Sequence, residues 1–129
     1  MPAISIRQPW PELIISHGKD VENRFWRCPD KYLGKPVLIH AGKAWETVGD
    51  LRFIHELKAC QRKQLDLGGI VGVFVIAANL TDSPSKWADP FPGCVHWAID
   101  RAEPVRFFPC PGRLGFFMVD YPYNVPEVV

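Results

Sequence analysis

Residues 4–26 read ISIRQPWPELIISHGKDVENRFW, and this stretch carries the clearest structural pattern in the chain. Apolar and polar residues alternate over 3–7 as they do in a β-strand, which predicts that Arg7 points away from the two isoleucines. The two prolines that follow are tolerated at the start of a helix, where a missing N–H costs nothing. We therefore predict a strand that runs directly into a short helix.

The predicted helix has one apolar stripe and a glycine at its end. Four residues share the spacing i, i+3, i+4 and i+7 that places side chains on one buried face: Trp10, Leu13, Ile14 and His17. Glu12 lies in the first turn, where the helix dipole favours an acid. Gly18 fits the left-handed residue that commonly ends a helix, so we expect the chain to turn there.

A second strand, over 21–26, follows this turn. Its alternation places Glu22, Arg24 and Trp26 on one face. Lys19 lies between the helix end and the strand start. The sequence therefore predicts that the lysine, the glutamate and the arginine cluster at one point of the fold.

The rest of the chain indicates further strands and one longer helix. This helix is predicted from Asp50, with an apolar stripe at Phe53, Leu57 and Cys60, and it ends before Gly68. Five strands are predicted, at 36–41, 70–80, 94–99, 104–108 and 114–119. The order of elements indicates an α+β domain, and a closed or nearly closed barrel would leave such a small sheet without bare edges.

Four residues resemble the GxKxxExR signature of the ASCH domain family: Gly18, Lys19, Glu22 and Arg24. The last three keep its KxxExR spacing, and the glycine lies directly before the lysine. The preceding SIRQPW resembles the opening strand and turn of that family, which belongs to the PUA-like superfamily of small β-barrels. Later segments resemble it less specifically: LIHAGKAW from Leu38 a second strand, GGIVGVFVI from Gly68 the central strand, and HWAIDRAEPV from His96 a closing hairpin. The resemblance implies a PUA-like barrel with two main flanking helices, formed by a single domain over 1–129.

Length and composition are those of an ordinary globular domain. The chain has 129 residues, of which 47% are hydrophobic and 22% are charged, so one core is expected. The longest strongly apolar run, 70–78, is far shorter than the ~20 residues of a membrane-spanning helix. The N-terminus lacks a basic segment followed by an apolar one. We therefore expect a cytoplasmic protein that does not enter the membrane.

The net charge of +1 gives no general attraction for a polyanion, but the charges are unevenly distributed. Residues 1–43 hold seven Lys or Arg against four Asp or Glu, a balance of +3. Any anion site is therefore expected to be local and to lie near the motif. The four cysteines form no CxxC pair, which argues against a zinc site, and no cofactor is expected.

The leading hypothesis is a cleft that binds single-stranded or modified RNA or a nucleotide. In the ASCH family the motif lines a cleft, which implies that Arg7, Lys19 and Arg24 contact a phosphate or a base edge. Glu22 would orient these cations or accept from a base amino group. The candidate binding residues are completed by three more: Gln8, Trp26 and Lys43. The competing interpretation is a solvated salt-bridge cluster, which would contribute only ~0 to 1 kcal/mol.

Two of the nearby side chains have alternative roles. Trp26 either stacks on a base or packs in the core, and the sequence favours neither. His40 ends an apolar strand, where a histidine is usually a hydrogen-bonded core residue.

A second hypothesis is a hydrolase, and it depends on the resemblance. Some ASCH-like proteins remove an acyl group from modified cytidine with a Lys, a Thr and a Glu, and others are ribonucleases. Lys19 matches the lysine, but Glu22 stands where the threonine would be, and the strand over 70–80 offers no second carboxylate. The candidate catalytic residues are Lys19 and Glu22, with the carboxylate expected to hold the lysine charged.

A third hypothesis is a protein-interaction module. The loop over 81–93 is long for a compact domain, which favours a function for it. Trp87 and Phe91 would be its anchors for a protein partner, since interfaces favour such aromatic residues. Alternatively, the two rings fasten the loop to the core.

Overall fold

Six strands and one α-helix make up the part of the chain that the computed structural model describes, which is residues 1–46, 53, 56 and 64–128. In chain order they are β1 (Pro2–Gln8), α1 (Trp10–Ser16), β2 (Val21–Arg24), β3 (Pro36–Trp45), β4 (Gly69–Leu80), β5 (Val95–Pro109) and β6 (Phe116–Met118). β1 runs parallel to β3, and the other pairs are antiparallel. The predicted α+β class is confirmed.

The strands form one sheet in the order β2-β5-β4-β3-β1-β6. Among the described residues no ladder joins β2 to β6, so the sheet is open and the predicted closure into a barrel is not found. The physical reason is that both end strands are short and the gap between them is spanned by side chains. Arg24 of β2 donates from Nη2 to the carbonyl of Ser5 in β1 at 2.9 Å, and Trp97 of β5 stacks on Phe116 of β6 at 5.8 Å between ring centroids.

Alternating residues of the central strands fill two apolar layers, one on each face of the sheet. One layer contains Ile4, Ile39, Phe74, Ile76 and Trp97, and α1 packs against it through Ile14. The other contains Ala3, Leu38, Val73, Val75 and Phe117, and the C-terminal tail covers it through Val128. The strands β1, β3 and β4 are thus buried on both faces, which is why the sequence of 70–80 shows so little polar alternation.

The predicted closing hairpin after His96 is wrong. The segments 94–99 and 104–108 belong to one strand, β5, which pairs with β4 from Leu80↔His96 to Gly69↔Pro109. One extra residue of β5 is absorbed between Val75 and Ile76, and two more are absorbed opposite 70–72. The polar residues over 100–103 therefore lie within the strand instead of forming a turn. A long apolar partner strand therefore overrides the local turn signal.

Other predicted elements agree with the structure to different extents. Gly18 has a φ of +76° and ends the first helix as expected. Leu13 and Ile14 are buried, but His17 is exposed, with its Nε2 4.0 Å from Glu12 Oε1. The buried stripe is therefore shorter than predicted.

The second helix, predicted from Asp50, lies outside the described residues apart from two positions. None of the helices in the described part is long and apolar enough to cross a membrane, and the cytoplasmic location stays a prediction.

Trp97→Leu tests whether aromatic packing holds the two ends of the sheet together. The indole is fully buried and donates from Nε1 to the carbonyl of Trp26 at 3.0 Å. Its loss leaves a cavity and an unpaired carbonyl, so we expect the free energy of unfolding to fall by about 3 kcal/mol. Urea denaturation measures this, with Leu114→Ala, at a side chain that is 99% exposed, as the control. Equal stability of the two variants would contradict this role for Trp97.

Candidate functional site

A cleft of about 1190 Å³ lies in the gap between β1 and β2, where the two ends of the open sheet approach each other. Four segments supply much of its wall: residues 4–7 of β1, residues 22–24 of β2, the loop residues 89–91, and the turn 112–115 before β6. Lys19, from the end of the helical turn, lines it as well. The segment over 4–26 therefore supplies half of the described residues that line the cleft.

The charged residues of the motif form a connected network in this cleft. Glu22 accepts from Arg24 Nε at 2.9 Å through Oε2, and its Oε1 lies 3.7 Å from Lys19 Nζ. Lys19 is only 4% exposed and Glu22 only 5% exposed. The predicted cluster is confirmed, and the interpretation as a solvated surface network is wrong. Because an unpaired buried charge is costly, each member depends on the others.

The local fold explains why Lys19 points inward. The left-handed Gly18 turns the chain back, and the Lys19 amide then donates to the carbonyl of Leu13 at 3.0 Å. The ammonium donates to the carbonyl of Val21 and lies 5.3 Å from the ring centroid of Trp10. A carbonyl, a carboxylate and an aromatic face thus surround the lysine.

Burial affects the pKa of Lys19 more than the neighbouring carboxylates do. It lowers the pKa of Lys19 below its ordinary value of 10.5, while the carboxylates of Glu22 and Asp89 oppose the shift. Glu22 favours the charged lysine, as predicted, but desolvation has the larger effect on the pKa. The amine therefore loses its proton more readily than a surface lysine does.

The remaining predicted binding residues are not all brought together. Arg7 is exposed and lines the cleft. Gln8 is buried outside it, where its side chain accepts from the Glu12 amide and donates to the carbonyl of Asp66, both at 3.2 Å. Lys43 is exposed on β3 and is not among the described residues that line the cleft. Of these three predicted residues, the cleft contains only Arg7.

Trp26 packs against other aromatic rings and does not line the cleft. It follows the end of β2, with its ring edge-on to Trp97 at 4.9 Å and to Phe116 at 5.9 Å between centroids. The ring is 38% exposed. Of the two roles considered for Trp26, the contacts match packing.

The two aromatic residues of the loop over 81–93 lie in different environments. Trp87 is 3% exposed and stacks on Phe53 at 4.5 Å between ring centroids, so it fastens the loop to the core. Phe91 is 61% exposed and forms part of the cleft wall. The protein-interaction hypothesis therefore loses one of its two anchors.

The sequence did not indicate three charged residues of the cleft. Glu46 follows the end of β3, and the other two lie in more distant segments. Asp89 comes from the long loop, and it supplies the second carboxylate that β4 does not. Arg113 is exposed in the turn before β6. Only the pairing of β6 with β1 brings this turn beside the motif, and no local signal in the sequence indicates it.

His40 has the structural role that the sequence favours. Its Nδ1 lies 3.0 Å from Ser5 Oγ, and its Nε2 lies 2.8 Å from the carbonyl oxygen of Cys110. The ring is 2% exposed. The prediction of a hydrogen-bonded core histidine is confirmed.

In comparisons with known proteins, no family model matches the chain and no curated protein is significantly similar to it. The ASCH resemblance therefore stays a prediction from the motif.

The lowered pKa of Lys19 predicts a dependence of stability on pH. Between the lowered pKa and 10.5 the unfolded chain binds more protons than the folded chain, so the free energy of unfolding gains a contribution that rises with pH. We expect wild type to gain stability relative to Lys19→Met as the pH rises towards 10.5. Denaturant titrations across that range measure the difference, with the exposed lysine variant Lys31→Met as the matched control. A difference that is flat or falls with pH would contradict the shift.

Proposed function

We propose that this chain is an ASCH-type module that binds a nucleotide or single-stranded RNA in the cleft between β1 and β2. The observation that carries the proposal is the network in the wall of an open cleft that joins buried Lys19 and Glu22 to half-buried Arg24. A fold seldom buries two charges at one place without a structural or functional reason. Their position in a cleft that also has exposed cations at its edge favours a functional one.

The charges suit a phosphate ligand. Arg7 and Arg113 are exposed and line the cleft from two different segments, so a bound phosphate can be approached from two sides. The net charge of the whole chain is only +1, which means that the attraction is confined to this place. This arrangement favours a small number of phosphates over the long backbone of a duplex.

The cleft also suits the size of the ligand. Its volume of about 1190 Å³ is slightly above the range of roughly 300–1,000 Å³ that is usual for small-molecule sites. A nucleotide, or one nucleotide turned out of a single strand, can enter such a space. Bases in a duplex are stacked and paired, so they would have to be unstacked first.

Within this proposal Glu22 organises the cations and does not read the base. One of its oxygens accepts from Arg24, and the other lies near Lys19. Arg24 in turn donates to the backbone of β1, which fixes the width of the cleft at this point. The glutamate therefore acts on the ligand through the positions of the two cations.

The second candidate is a hydrolase, and the lowered pKa of Lys19 is the observation that favours it. A lysine that releases its proton more readily is better suited to proton transfer than a surface lysine. Asp89, which also lines the cleft, supplies a carboxylate that the sequence of β4 does not. The reaction would be the removal of an acyl group from a nucleobase or the cleavage of an RNA phosphodiester.

Removal of the two exposed arginines tests the binding proposal. In Arg7→Gln/Arg113→Gln we expect weaker binding of a short single-stranded RNA and a salt slope that is smaller by about 1.4, because two phosphate contacts are lost. Fluorescence anisotropy at several salt concentrations measures both quantities. Lys31→Gln/Lys35→Gln removes the same charge from exposed positions outside the cleft and is the matched control. Absence of binding by wild type at low salt, or equal effects of the two double variants, would contradict the proposal.

Glu22→Gln separates recognition from catalysis. If the cleft only binds, this variant should retain its attraction for phosphate but discriminate less between bases, and no Lys19-dependent turnover should be seen with RNA or acylated cytidine. If Glu22 transfers a proton, binding should persist while turnover falls by ~100-fold or more. Parallel binding and turnover assays measure both, and thermal unfolding checks that the variant folds. A variant that cannot fold would show that the carboxylate is structural.

A further inference from the structure

Phe91 offers an exposed aromatic face inside the cleft. Its side chain is 61% exposed, although it lies in the cleft wall. The other aromatic rings among the described lining residues are already in contact with neighbours. Phe53 is buried against Trp87, and Trp10 meets the ring of Phe53 edge-on at 6.3 Å and the ammonium of Lys19 at 5.3 Å. Of these rings, only Phe91 leaves most of its surface open to a ligand.

The peptide that leads to Phe91 is held in place by β2 and β5. Asn23 of β2 donates from Nδ2 to the carbonyl of Trp87 and accepts at Oδ1 from the amide of Asp89, both at 2.9 Å. His96 of β5 accepts at Nδ1 from the amide of Ser83, so its Nε2 carries the proton that it donates to the carbonyl of Asp89 at 2.7 Å. Two strands thus fix the backbone just before the exposed ring.

The residues next to Phe91 limit its backbone further. It lies between Pro90 and Pro92, whose rings fix φ and remove two N–H donors. Its own carbonyl accepts from the amide of Cys94 at 3.1 Å. A phenylalanine has only two side-chain torsions, so little freedom remains to be lost when a ligand binds. The ring is therefore preorganised as a flat contact surface.

We infer that Phe91 is the stacking platform for the base of the bound nucleotide. This inference rests on the proposed function and names the part of the ligand that the loop recognises. Arg7 and Arg113 line the same cleft and are available for the phosphate, so one ligand with a flat ring and a phosphate satisfies both features. Every base has a π-face, so this platform separates a nucleotide from a sugar phosphate but discriminates only weakly among bases.

The test compares four nucleoside 5′-monophosphates and ribose 5-phosphate by calorimetric titration at low salt. Wild type should bind the nucleotides more tightly than ribose 5-phosphate. Phe91→Ala should weaken nucleotide binding by about 5- to 150-fold and leave ribose 5-phosphate binding unchanged. Phe91→Tyr should retain the preference, and Phe91→Leu should lose most of it, because leucine keeps the apolar surface but not the π-face.

Phe25→Ala is the matched control. Phe25 is 71% exposed and is not among the described residues that line the cleft. If Phe91→Ala weakens nucleotide binding no more than Phe25→Ala does, Phe91 is not the platform and the inference is overturned. If wild type binds neither the nucleotides nor single-stranded RNA, the proposed function itself fails. The two failures are thus distinguishable by the behaviour of wild type alone.

Discussion

The buried carboxylate of Glu22 is the constraint on which the arrangement of the cleft depends. A carboxylate that is 5% exposed needs cations or hydrogen-bond donors close by, and the structure supplies Lys19 from the end of the helical turn and Arg24 from the same strand. Arg24 then reaches across to the carbonyl of Ser5. One buried acid thereby links the turn, β2 and β1, and these are the elements that border the cleft.

This linkage also explains how an open sheet can keep a defined gap. The end strands β2 and β6 have four and three residues, too few to bring the two edges together by backbone hydrogen bonds. Side chains hold them in position instead. Arg24 spans the gap by its hydrogen bond to β1. The packed rings of Trp26, Trp97 and Phe116 close another part of the gap. The cleft is the part of the gap that these contacts leave open.

The cleft combines side chains that are held by several contacts with side chains that are exposed to solvent. Lys19, Glu22 and Arg24 are fixed by mutual pairing, whereas Arg7 and Arg113 are exposed. The loop that carries Phe91 belongs to the fixed kind, because Asn23 and His96 hold its backbone. A ligand would thus meet a rigid floor and a rigid aromatic wall, with exposed cations at the edge. Such preorganisation reduces the entropy that binding costs.

Much of this could be predicted from residues close together in the sequence. The spacing of Lys19, Glu22 and Arg24 around a left-handed Gly18 was enough to predict their cluster, since a turn and one strand face fix it. The role of Trp26 could not be predicted, because strand alternation shows which face a side chain points to but not which residues it contacts there. Gln8 shares the first strand with Arg7, yet its side chain is used to hold the helix start.

Features that depend on distant pairing could not be predicted in the same way. Arg113 reaches the cleft only because β6 pairs with β1. The continuous strand β5 results from the length of β4, which local turn residues do not reveal. Phe91 and Trp87 lie in the same loop, and only tertiary packing shows which of them is buried.

An NMR titration can show whether a nucleotide binds in the cleft between β1 and β2, since it locates the ligand without altering the protein. Uniformly ¹⁵N-labelled protein would be titrated with a nucleoside 5′-monophosphate while its amide shifts are followed. We expect saturable changes concentrated at residues 4–7, 19–24, 89–91 and 112–115. Changes that cluster instead around Arg106 and Tyr123, or on the segment 27–35, would contradict it, as would the absence of any saturable change.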